Sequence, residues 1–487
     1  MSGRGKEIMT AQKSLRKNAA LNMTKTVMGL IFPLITFPYV SRVLEPSGIG
    51  KINFAHSIVS YFSMIAALGI STYGVREAAK VRDDKMQLTK FVKEILSINI
   101  ISTIAAYILL FLSLLIVPRF SEYRRLLAVC GASILFVTLG VEWLYTALEE
   151  FAYITARSII FQIISVVLMF VFIRTRDDYL KYAAIGVISS VGSNICNFIH
   201  AWKYVSFGEC VQKELKKHIK PIFTLFAMSV AVSIYTALDT TMLGLISGDE
   251  QVGFYAAATR VNKIVVSVIT AAVTVLLPRL SFYVSKHDEE HFSVLSAKAL
   301  NAVILLAFPC AVGLSLVARP VILLLSGARY ELAIPTMRIM NPIIIAISLS
   351  GLIGIQIFMP LGRERLTLIS VILGAVINFV LNLVLIPSKG ALGAGIATVC
   401  AESSVTVFQI VCARRIFAFK KILPHAVQCV CASAVMSVAV YFLLKTDTGI
   451  VLQLVCSVLV GMAVYVLALL LMRNQFCMSL IKERCKK

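Results

Sequence analysis

The sequence predicts an all-α integral membrane protein with about fourteen transmembrane helices, and three observations lead to that fold class. Hydrophobic residues make up 59% of the 487-residue chain and charged residues only 15%, which is too apolar for the surface of a soluble protein. The apolar runs are about 18 to 28 residues long, enough to cross the ~30 Å hydrocarbon core of a bilayer as helices. A long apolar hairpin near the start of the chain also returns near its middle.

Fourteen apolar segments follow one another, and their even number places both termini on one side of the membrane. The predicted spans are 19–41, 49–73, 92–117, 126–148, 151–173, 179–202, 219–246, 252–277, 295–318, 333–359, 366–387, 391–413, 422–444 and 449–472. If the two tails and the even-numbered loops are inside, the inner side carries about 31 of the 47 Lys and Arg residues and the outer side about 13. The positive-inside rule therefore predicts that both termini are cytoplasmic.

The spans are expected to form two six-helix lobes that repeat each other, followed by two extra helices. A shift of 203 residues places Gly50 on Gly253, Ala55 on Ala258 and Arg76 on Arg279. Because each half holds six spans, the halves are expected to be parallel repeats around a central cavity. The predicted boundaries are a cytoplasmic basic tail (1–18), an N-lobe (19–209), a cytoplasmic linker (210–217), a C-lobe (218–417), two further spans (418–475) and a cytoplasmic tail (476–487).

Composition and motifs exclude several classes of function. The net charge of +22 is explained by basic cytoplasmic loops, and no basic segment interleaved with aromatic residues indicates nucleic-acid binding. Gly48-Ile49-Gly50-Lys51 is similar to part of a phosphate loop, but Glu45 stands where the first Gly belongs, and the sequence holds no HExxH or GxSxG motif. The eleven Cys are scattered without a CxxC pair. We therefore expect no enzymatic activity, no metal site and no cofactor.

Charged residues inside the spans are the strongest candidates for a site, because each costs ~2.5–3.5 kcal/mol at a helix centre unless a partner or water relieves it. Asp239 and Arg260 flank a short turn at similar depth, which predicts an ion pair, and a purely structural pair is the alternative. Lys263 lies one turn beyond Arg260 on the same face. Lys25 lies about two turns inside the first span, where snorkelling to the interface is also a sufficient explanation. Two or three cations in an internal cavity predict an anionic cargo such as a phosphate.

Other polar residues within the spans predict a wetted interior. Asn53 and His56 are candidates for further substrate contacts, and Glu142 is a candidate, with Asp239, for coupling or ion pairing. Asp239 and His56 are also the candidates for coupling transport to protons or Na⁺. Asn53, His56 and Glu142 each fit a role in holding helices together better than a ligand contact, at roughly three to one.

Three stretches of the sequence resemble bacterial polysaccharide-biosynthesis flippases, which move lipid-linked O-antigen or capsule repeat units. They are FPLITFPYVSRVLEPSGIGKINFAHSIVSYF near the N-terminus, GVEWLYTALEEFAYITARSI at 140–159 and ALDTTMLGLISGDEQVGFYAAATRV at 237–261. The resemblance extends over essentially the whole chain. It departs from the family at Glu45, where the family usually has Gly after RVL, and we expect only a local effect on that corner.

The resemblance implies the multidrug/oligosaccharidyl-lipid/polysaccharide exporter superfamily, with two six-helix lobes around a central cavity. It implies a flippase that moves an undecaprenyl-diphosphate-linked oligosaccharide from the inner to the outer leaflet of the bacterial plasma membrane by alternating access. A polysaccharide polymerase and glycosyltransferases are the further partners it suggests. The assignment of Lys25, Arg260 and Lys263 to the diphosphate rests on their own positions in this sequence.

Three other functions are alternatives to this one. A cation-coupled multidrug exporter of the same superfamily predicts acidic residues in the first lobe, whereas the deep charges here are mostly basic. A membrane polysaccharide polymerase or ligase needs a long outer loop with catalytic Arg or His, and the outer loops here are short. The third alternative is a scaffold protein for a glycan-assembly complex, which itself transports nothing. Only a transport assay distinguishes such a scaffold from a flippase.

Overall fold

A computed structural model describes residues 3–206, 214–274, 276–414, 416, 419–446 and 449–478. Over these residues the chain consists of helices joined by short turns, with no β-strand. The predicted all-α fold class is confirmed. The chain divides into two compact units, Met1–Ala237 and Leu238–Lys487, which are described separately below.

Nine α-helices of the first unit follow one another with short connections. They are α1 (Gly3–Ala67), α2 (Ile70–Val81), α3 (Lys85–Ile116), α4 (Pro118–Ser121), α5 (Arg124–Gly140), α6 (Glu142–Ala147), α7 (Phe151–Phe172), α8 (Tyr179–Val187) and α9 (Asn194–Ala201). A 3₁₀ turn, Arg176–Asp178, precedes α8, and a π-helical turn, Ile188–Gly192, separates α8 from α9. The next helix, α10 (Lys216–Ile246), starts in the first unit and ends in the second.

The second unit continues with nine further α-helices. They are α11 (Asp249–Thr274), α12 (Leu277–Ser285), α13 (Glu289–Leu316), α14 (Ala318–Ser326), α15 (Ala333–Met340), α16 (Ile343–Gly351), α17 (Glu364–Ala413), α18 (Phe419–Leu444) and α19 (Ile450–Leu471). A 3₁₀ turn, Ala328–Tyr330, precedes α15, and a π-helical segment, Leu352–Phe358, extends α16.

The predicted lobe boundaries stay predictions. The division between the units falls inside α10, and half of the predicted linker, 210–213, is outside the described part of the chain. The predicted extra spans after the second lobe correspond to α18 and α19. Residues 479–487 of the predicted C-terminal tail are also outside the described residues.

Among the described residues, ten helices are long and apolar enough to cross a membrane, or eleven if the bent pair Ala333–Met340 and Ile343–Phe358 is one span. Two of the ten, of 59 residues (Met23–Val81) and 50 residues (Glu364–Ala413), are far longer than the ~20 residues that one crossing needs. Each contains an internal break, so each is long enough for two crossings. The count of fourteen spans stays a prediction.

The corner of the first hairpin is a single residue within α1. Glu45 has φ 58° and ψ 177°, a conformation that is otherwise almost confined to Gly, and helix continues on both sides of it. The 203-residue repeat places Glu45 on Gly248, whose φ is 85°. Both halves therefore turn at the same position of the repeat through a residue with positive φ. The position where the sequence departs from the family it resembles, Glu45, is therefore one where backbone geometry favours Gly.

A second break lies within α17, at Gly390, with φ 52° and ψ −129°. A Cβ on Gly390 would lie 2.4 Å from Oε1 of Gln251, and that oxygen accepts a hydrogen bond of 2.9 Å from the backbone N–H of Ala391. Gly is therefore required here both for the backbone conformation and for the space that Gln251 occupies. The break brings the two halves of α17 back alongside each other.

Asp side chains fix the starts of two long helices outside the apolar segments. The carboxylate of Asp84 accepts hydrogen bonds from the backbone N–H groups of Gln87 and Met86, and Asp288 accepts one from the backbone N–H of His291. These N-cap bonds satisfy amides that have no partner within the helix. The bonds from Gln87 to Asp84 and from His291 to Asp288 hold the pKa of each carboxyl below its usual value.

The long helices expose large apolar side chains along their outer surfaces. In α3 these are Ile100, Ile101, Ile104, Ile108, Leu109, Phe111, Leu112, Leu115 and Ile116. In α19 they include Val451, Leu452, Leu459, Met462, Leu467 and Leu471. In water such surfaces would drive aggregation, whereas in a bilayer they meet lipid tails of the same polarity.

Candidate functional sites within the two units

Lys25 and Glu142 form an ion pair in the first unit. Nζ of Lys25, on α1, contacts Oε1 of Glu142, the first residue of α6. Val141, just before it, has a φ of 38° and separates α5 from α6. The two side chains are 30% and 43% exposed, so the pair can be reached from outside the unit. A partly exposed pair is easily exchanged, because its net stabilisation is small.

Arg157, on α7, is a buried cation that the sequence analysis missed. Its Nη1 donates hydrogen bonds of 3.0 Å to the backbone oxygen of Ser193 and 3.3 Å to Oδ1 of Asn194, while its Nε has no hydrogen-bond partner in the described part of the chain. The charge of Glu142 acts on it as well. Gly140 leaves room for this arrangement, since a Cβ there would lie 2.5 Å from Nδ2 of Asn194.

The sequence signal for Arg157 was its position six residues inside an apolar segment. Because Arg157 lies near the start of that segment (151–173), the count of basic residues on each side of the membrane places it with the preceding loop. With Lys25 and Glu142, it makes a set of three charges in the first unit.

Asn53 and His56 are three residues apart on α1. They therefore lie about one turn apart on the same face of the helix. Nδ2 of Asn53 donates a 2.8 Å hydrogen bond to the backbone oxygen of Ile49, four residues earlier in its own helix. His56 is exposed. No hydrogen bond or ion pair joins either side chain to the Lys25–Glu142 pair in the described structure, and the substrate role of Asn53 and His56 stays a prediction.

Asp239 lies at the centre of a buried polar cluster in the second unit. The carboxylate is 6% exposed and accepts four hydrogen bonds. The donors are Tyr255 Oη at 2.6 Å, Asn378 Nδ2 at 2.9 Å, Asn382 Nδ2 at 2.7 Å and Thr398 Oγ1 at 2.8 Å. The break at Gly390 makes this cluster, because it lets residues from both halves of α17 reach one side chain on α10.

The cluster has one buried acceptor left over. Oδ1 of Asn382 is inaccessible to solvent and has no hydrogen-bond partner among the residues that the structure describes, whereas Oδ1 of Asn378 accepts a 3.0 Å bond from Asn382 Nδ2. A buried unsatisfied oxygen costs about 1–3 kcal/mol. The oxygen and nitrogen of an Asn amide can exchange positions by rotation about χ2. The cluster therefore contains several oxygen atoms within reach of one buried carboxylate.

Arg260 and Lys263 lie on α11, one turn apart. Arg260 is half-buried and Lys263 is exposed. The charges of Arg260 and Asp239 both act on Lys263, which places the three groups in one region of the second unit. The ion pair between Asp239 and Arg260 stays a prediction, and so does the binding role of both cations.

A second buried network, also missed from the sequence, ties the start of α10 to the first unit. Nε2 of His218 lies 2.8 Å from Oε2 of Glu94, and Nδ1 of His218 lies 2.7 Å from Oη of Tyr73. Nζ of Lys217 lies 3.2 Å from the same Glu94 oxygen, and the backbone N–H of Glu214 donates to the other. The Glu94 and His218 side chains are 1% and 5% exposed.

This network fixes the segment that leads into the second unit, and its signal in the sequence was faint. Glu94 and His218 are 124 residues apart, and each sits beside basic residues that predict an ordinary charged loop. No group of three or more His, Cys, Asp or Glu side chains suited to a metal occurs among the described residues.

The chain is similar to a known protein family and to several named proteins. Residues 15–284 match the family described as "Polysaccharide biosynthesis protein". A relative in Escherichia coli (strain K12) named "Putative O-antigen transporter" is 23% identical over 410 residues, covering 83% of this chain and 98% of that protein. "Probable low-salt glycan biosynthesis flippase Agl15" of Haloferax volcanii is 24% identical over 271 residues, covering 54% of this chain and 57% of that protein.

Solved structures share the fold. The inward closed conformation of the lipid II flippase MurJ superposes with a TM-score of 0.76 at 16% identity, covering 94% of this chain and 99% of that one. An inward-facing multidrug resistance transporter of the MATE family superposes with a TM-score of 0.62 at 15% identity, covering 80% and 95%. These likenesses show the predicted transporter fold. Since the family model matches more than half of its residues, this chain belongs to the polysaccharide biosynthesis protein family.

Proposed function

We propose that this chain is a flippase that moves a lipid-linked oligosaccharide across the membrane. The observation that carries the proposal is the set of cations within membrane-crossing helices, Lys25, Arg260 and Lys263, in a member of a polysaccharide biosynthesis family. Cations at these positions suit a cargo with a negatively charged headgroup. The names of the relatives, an O-antigen transporter and a glycan biosynthesis flippase, support the same class of cargo.

The physical task explains why such a cargo needs a protein. Each sugar hydroxyl that enters hydrocarbon without a partner costs several kcal/mol, so a short oligosaccharide faces a barrier of roughly tens of kcal/mol. Polar side chains remove this barrier for the sugars, while the apolar outer surface leaves the lipid tail in the bilayer. Under an inside-negative potential, an outward-moving dianion also gains up to ~4.6 kcal/mol per 100 mV.

The finer form of the proposal names the cargo and the route. The cargo is an undecaprenyl-diphosphate-linked repeat unit for O-antigen, capsule or exopolysaccharide, moved from the inner to the outer leaflet of a bacterial plasma membrane by alternating access. Both termini are cytoplasmic, and a polysaccharide polymerase and glycosyltransferases act on the same lipid before or after it. The protein itself makes and breaks no covalent bond.

Lys25 is proposed to receive the diphosphate in the first unit. Its ion pair with Glu142 is partly exposed, so an incoming phosphate can replace the carboxylate at little cost. Arg157 then keeps Glu142 in place when Lys25 leaves it, because their charges attract each other. Asn53 and His56 are proposed to contact the sugars.

Asp239 is proposed to bind the coupling cation. Four donors on one carboxylate suit its ionised form, which accepts hydrogen bonds and donates none, so Na⁺ fits this cluster better than a proton. When a cation enters, rotation of the Asn378 and Asn382 amides turns their oxygens toward it. The unsatisfied Oδ1 of Asn382 is the observation that supports such a site.

A cation-coupled multidrug exporter is the second candidate, and the side chains favour it less. Its fold is also similar, at a TM-score of 0.62. An organic cation needs a carboxylate with room and no cation beside it, but Asp239 is buried among four donors, and Glu142 lies beside Lys25 and within reach of the charge of Arg157, both of which repel a cation. Glu94, the other buried carboxylate named above, is paired with Lys217 and His218.

Surface glycan export tests the main proposal. In a bacterial strain that depends on this chain for export, the double variant Arg260→Ala, Lys263→Ala should reduce surface glycan at least tenfold, because the headgroup loses its cationic partners. The amount of the variant protein in the membrane, measured by immunoblot, should equal that of the native protein. The matched control is Lys286→Ala, Lys298→Ala, which removes two exposed cations outside the site. Unchanged export in the first variant would end the proposed role of these cations.

A further inference from the structure

The second unit contains a cavity of about 730 Å³ that is separate from the Asp239 cluster. It is formed where the start of α13 and the two ends of α17 meet. Its lining includes Arg363 and Arg414, together with the apolar side chains of Phe292, Leu366 and Val411. Glu289, in the first turn of α13, is the one acidic residue in this lining.

The position of this cavity along the helices places it at the membrane surface. Arg363 and Arg414 flank the two ends of α17, and the helix folds back at Gly390 between them. Each half of α17 has more than the ~20 residues that cross a hydrocarbon core. Both arginines therefore lie at the same end of a helical hairpin, where lipid headgroups are found, and the break at Gly390 lies at the opposite end.

The charge of the cavity is complementary to an anion. Neither Arg363 nor Arg414 makes a side-chain hydrogen bond or ion pair with any described residue, and both are exposed. Glu289 is exposed too and forms no ion pair with either arginine within the described structure. Arg365, the second residue of α17, adds positive charge two positions after Arg363. A cavity lined by two guanidinium groups and by apolar side chains suits a molecule that has a phosphate group next to a hydrocarbon chain.

We propose that this cavity binds the phosphodiester headgroup of an anionic membrane phospholipid, such as phosphatidylglycerol. Arg363 and Arg414 hold the phosphate, and Phe292, Leu366 and Val411 contact the upper part of the acyl chains. A basic pocket between helix ends at the cytoplasmic surface is a physical setting in which anionic headgroups bind. The bound lipid tethers the two ends of α17 to the start of α13. This inference goes beyond the proposed transport and does not depend on it.

Lipid binding to the purified full-length chain tests the assignment. Unfolding temperature is measured in a neutral detergent with added phosphatidylglycerol, phosphatidylcholine or inorganic phosphate. Phosphatidylglycerol should stabilise the native protein, and its apparent affinity should fall at least tenfold in Arg363→Gln, Arg414→Gln. The matched control is Lys286→Gln, Lys298→Gln, which loses the same charge from exposed positions outside the cavity lining and should bind as the native protein does.

Each alternative has its own result. Equal affinity in the two double variants would overturn the site, because the effect would then follow total charge alone. Stabilisation by inorganic phosphate at the same concentrations would assign the cavity to free phosphate and overturn the lipid proposal. If the Gln variant does not fold, Arg363→Lys, Arg414→Lys keeps both charges and should retain most of the binding. If the native chain binds phosphatidylglycerol no more tightly than phosphatidylcholine, the proposal is also wrong.

Discussion

At the scale of single residues, Glu45 is a position where the fold requires a strained backbone conformation. Glu45 holds a backbone conformation that favours Gly, and its carboxylate forms an ion pair with Arg176. A strained residue of this kind costs about 1–3 kcal/mol. The ion pair contributes little stabilising free energy in return, because the Arg176 side chain is 65% exposed. Backbone geometry therefore dominates over the side-chain contact at this corner.

The residue-scale prediction compares two substitutions at that corner. Glu45→Gly and Glu45→Ala both remove the ion pair, but only Gly relieves the positive φ. After allowing for the greater freedom of Gly in the unfolded chain, Glu45→Gly should be about 1–2 kcal/mol more stable than Glu45→Ala. The free energy of unfolding in detergent measures this difference. Equal stability of the two variants would mean that the corner is not strained.

The sequence predicted some of these residues and missed others for a physical reason. Lys25, Glu142, Asp239, Arg260 and Lys263 stood out because each interrupts an apolar run, which is a local property. Their partners did not stand out. The contact of Lys25 with Glu142 joins residues 117 positions apart, and no spacing rule within one helix predicts such a pair.

At the scale of elements, helix breaks decide which polar groups meet. The apolar runs predicted helices near α17, but not that Gly390 would bring Asn382 and Thr398 to the same carboxylate. The four donors to Asp239 come from two helices, α11 and α17, and Asp239 itself lies on α10, so the cluster follows from packing and could not be predicted from any one segment. The network of Glu94, His218 and Tyr73 is of the same kind.

The element-scale prediction tests Asp239 as a cation site. If Na⁺ binds there, Na⁺ at about 100 times its dissociation constant stabilises the native protein by ~2.7 kcal/mol relative to K⁺. Asp239→Asn should abolish this stabilisation, because the amide removes the only formal negative charge among the cluster's five side chains. The unfolding temperature in each salt is the measurement. Glu290→Gln, at an exposed position of α13, should keep the response to Na⁺. An unchanged response in Asp239→Asn would exclude this cluster.

At the scale of the whole molecule, composition alone predicted the fold class, because hydropathy summed over about 20 residues decides whether a helix prefers lipid. The 203-residue repeat was also informative, since it places Glu45 on Gly248 and both have positive φ. The number of crossings is harder to derive. Two continuous helices with an internal break, α1 and α17, each hold enough residues for two spans.

The distribution of basic residues then predicts the topology of the whole chain. With fourteen crossings and both termini cytoplasmic, Arg363 and Arg414 lie inside and Lys389, beside the break in α17, lies outside. Alkaline phosphatase, which needs disulfides formed outside the cytoplasm, should be active when inserted after Lys389 and inactive after Arg363 or Arg414. Green fluorescent protein attached after Lys487 should fluoresce, since it folds in the cytoplasm. Equal phosphatase activity at Arg363 and Lys389 would mean that α17 crosses the membrane only once or not at all, and would also remove the cavity at its two ends from the membrane surface.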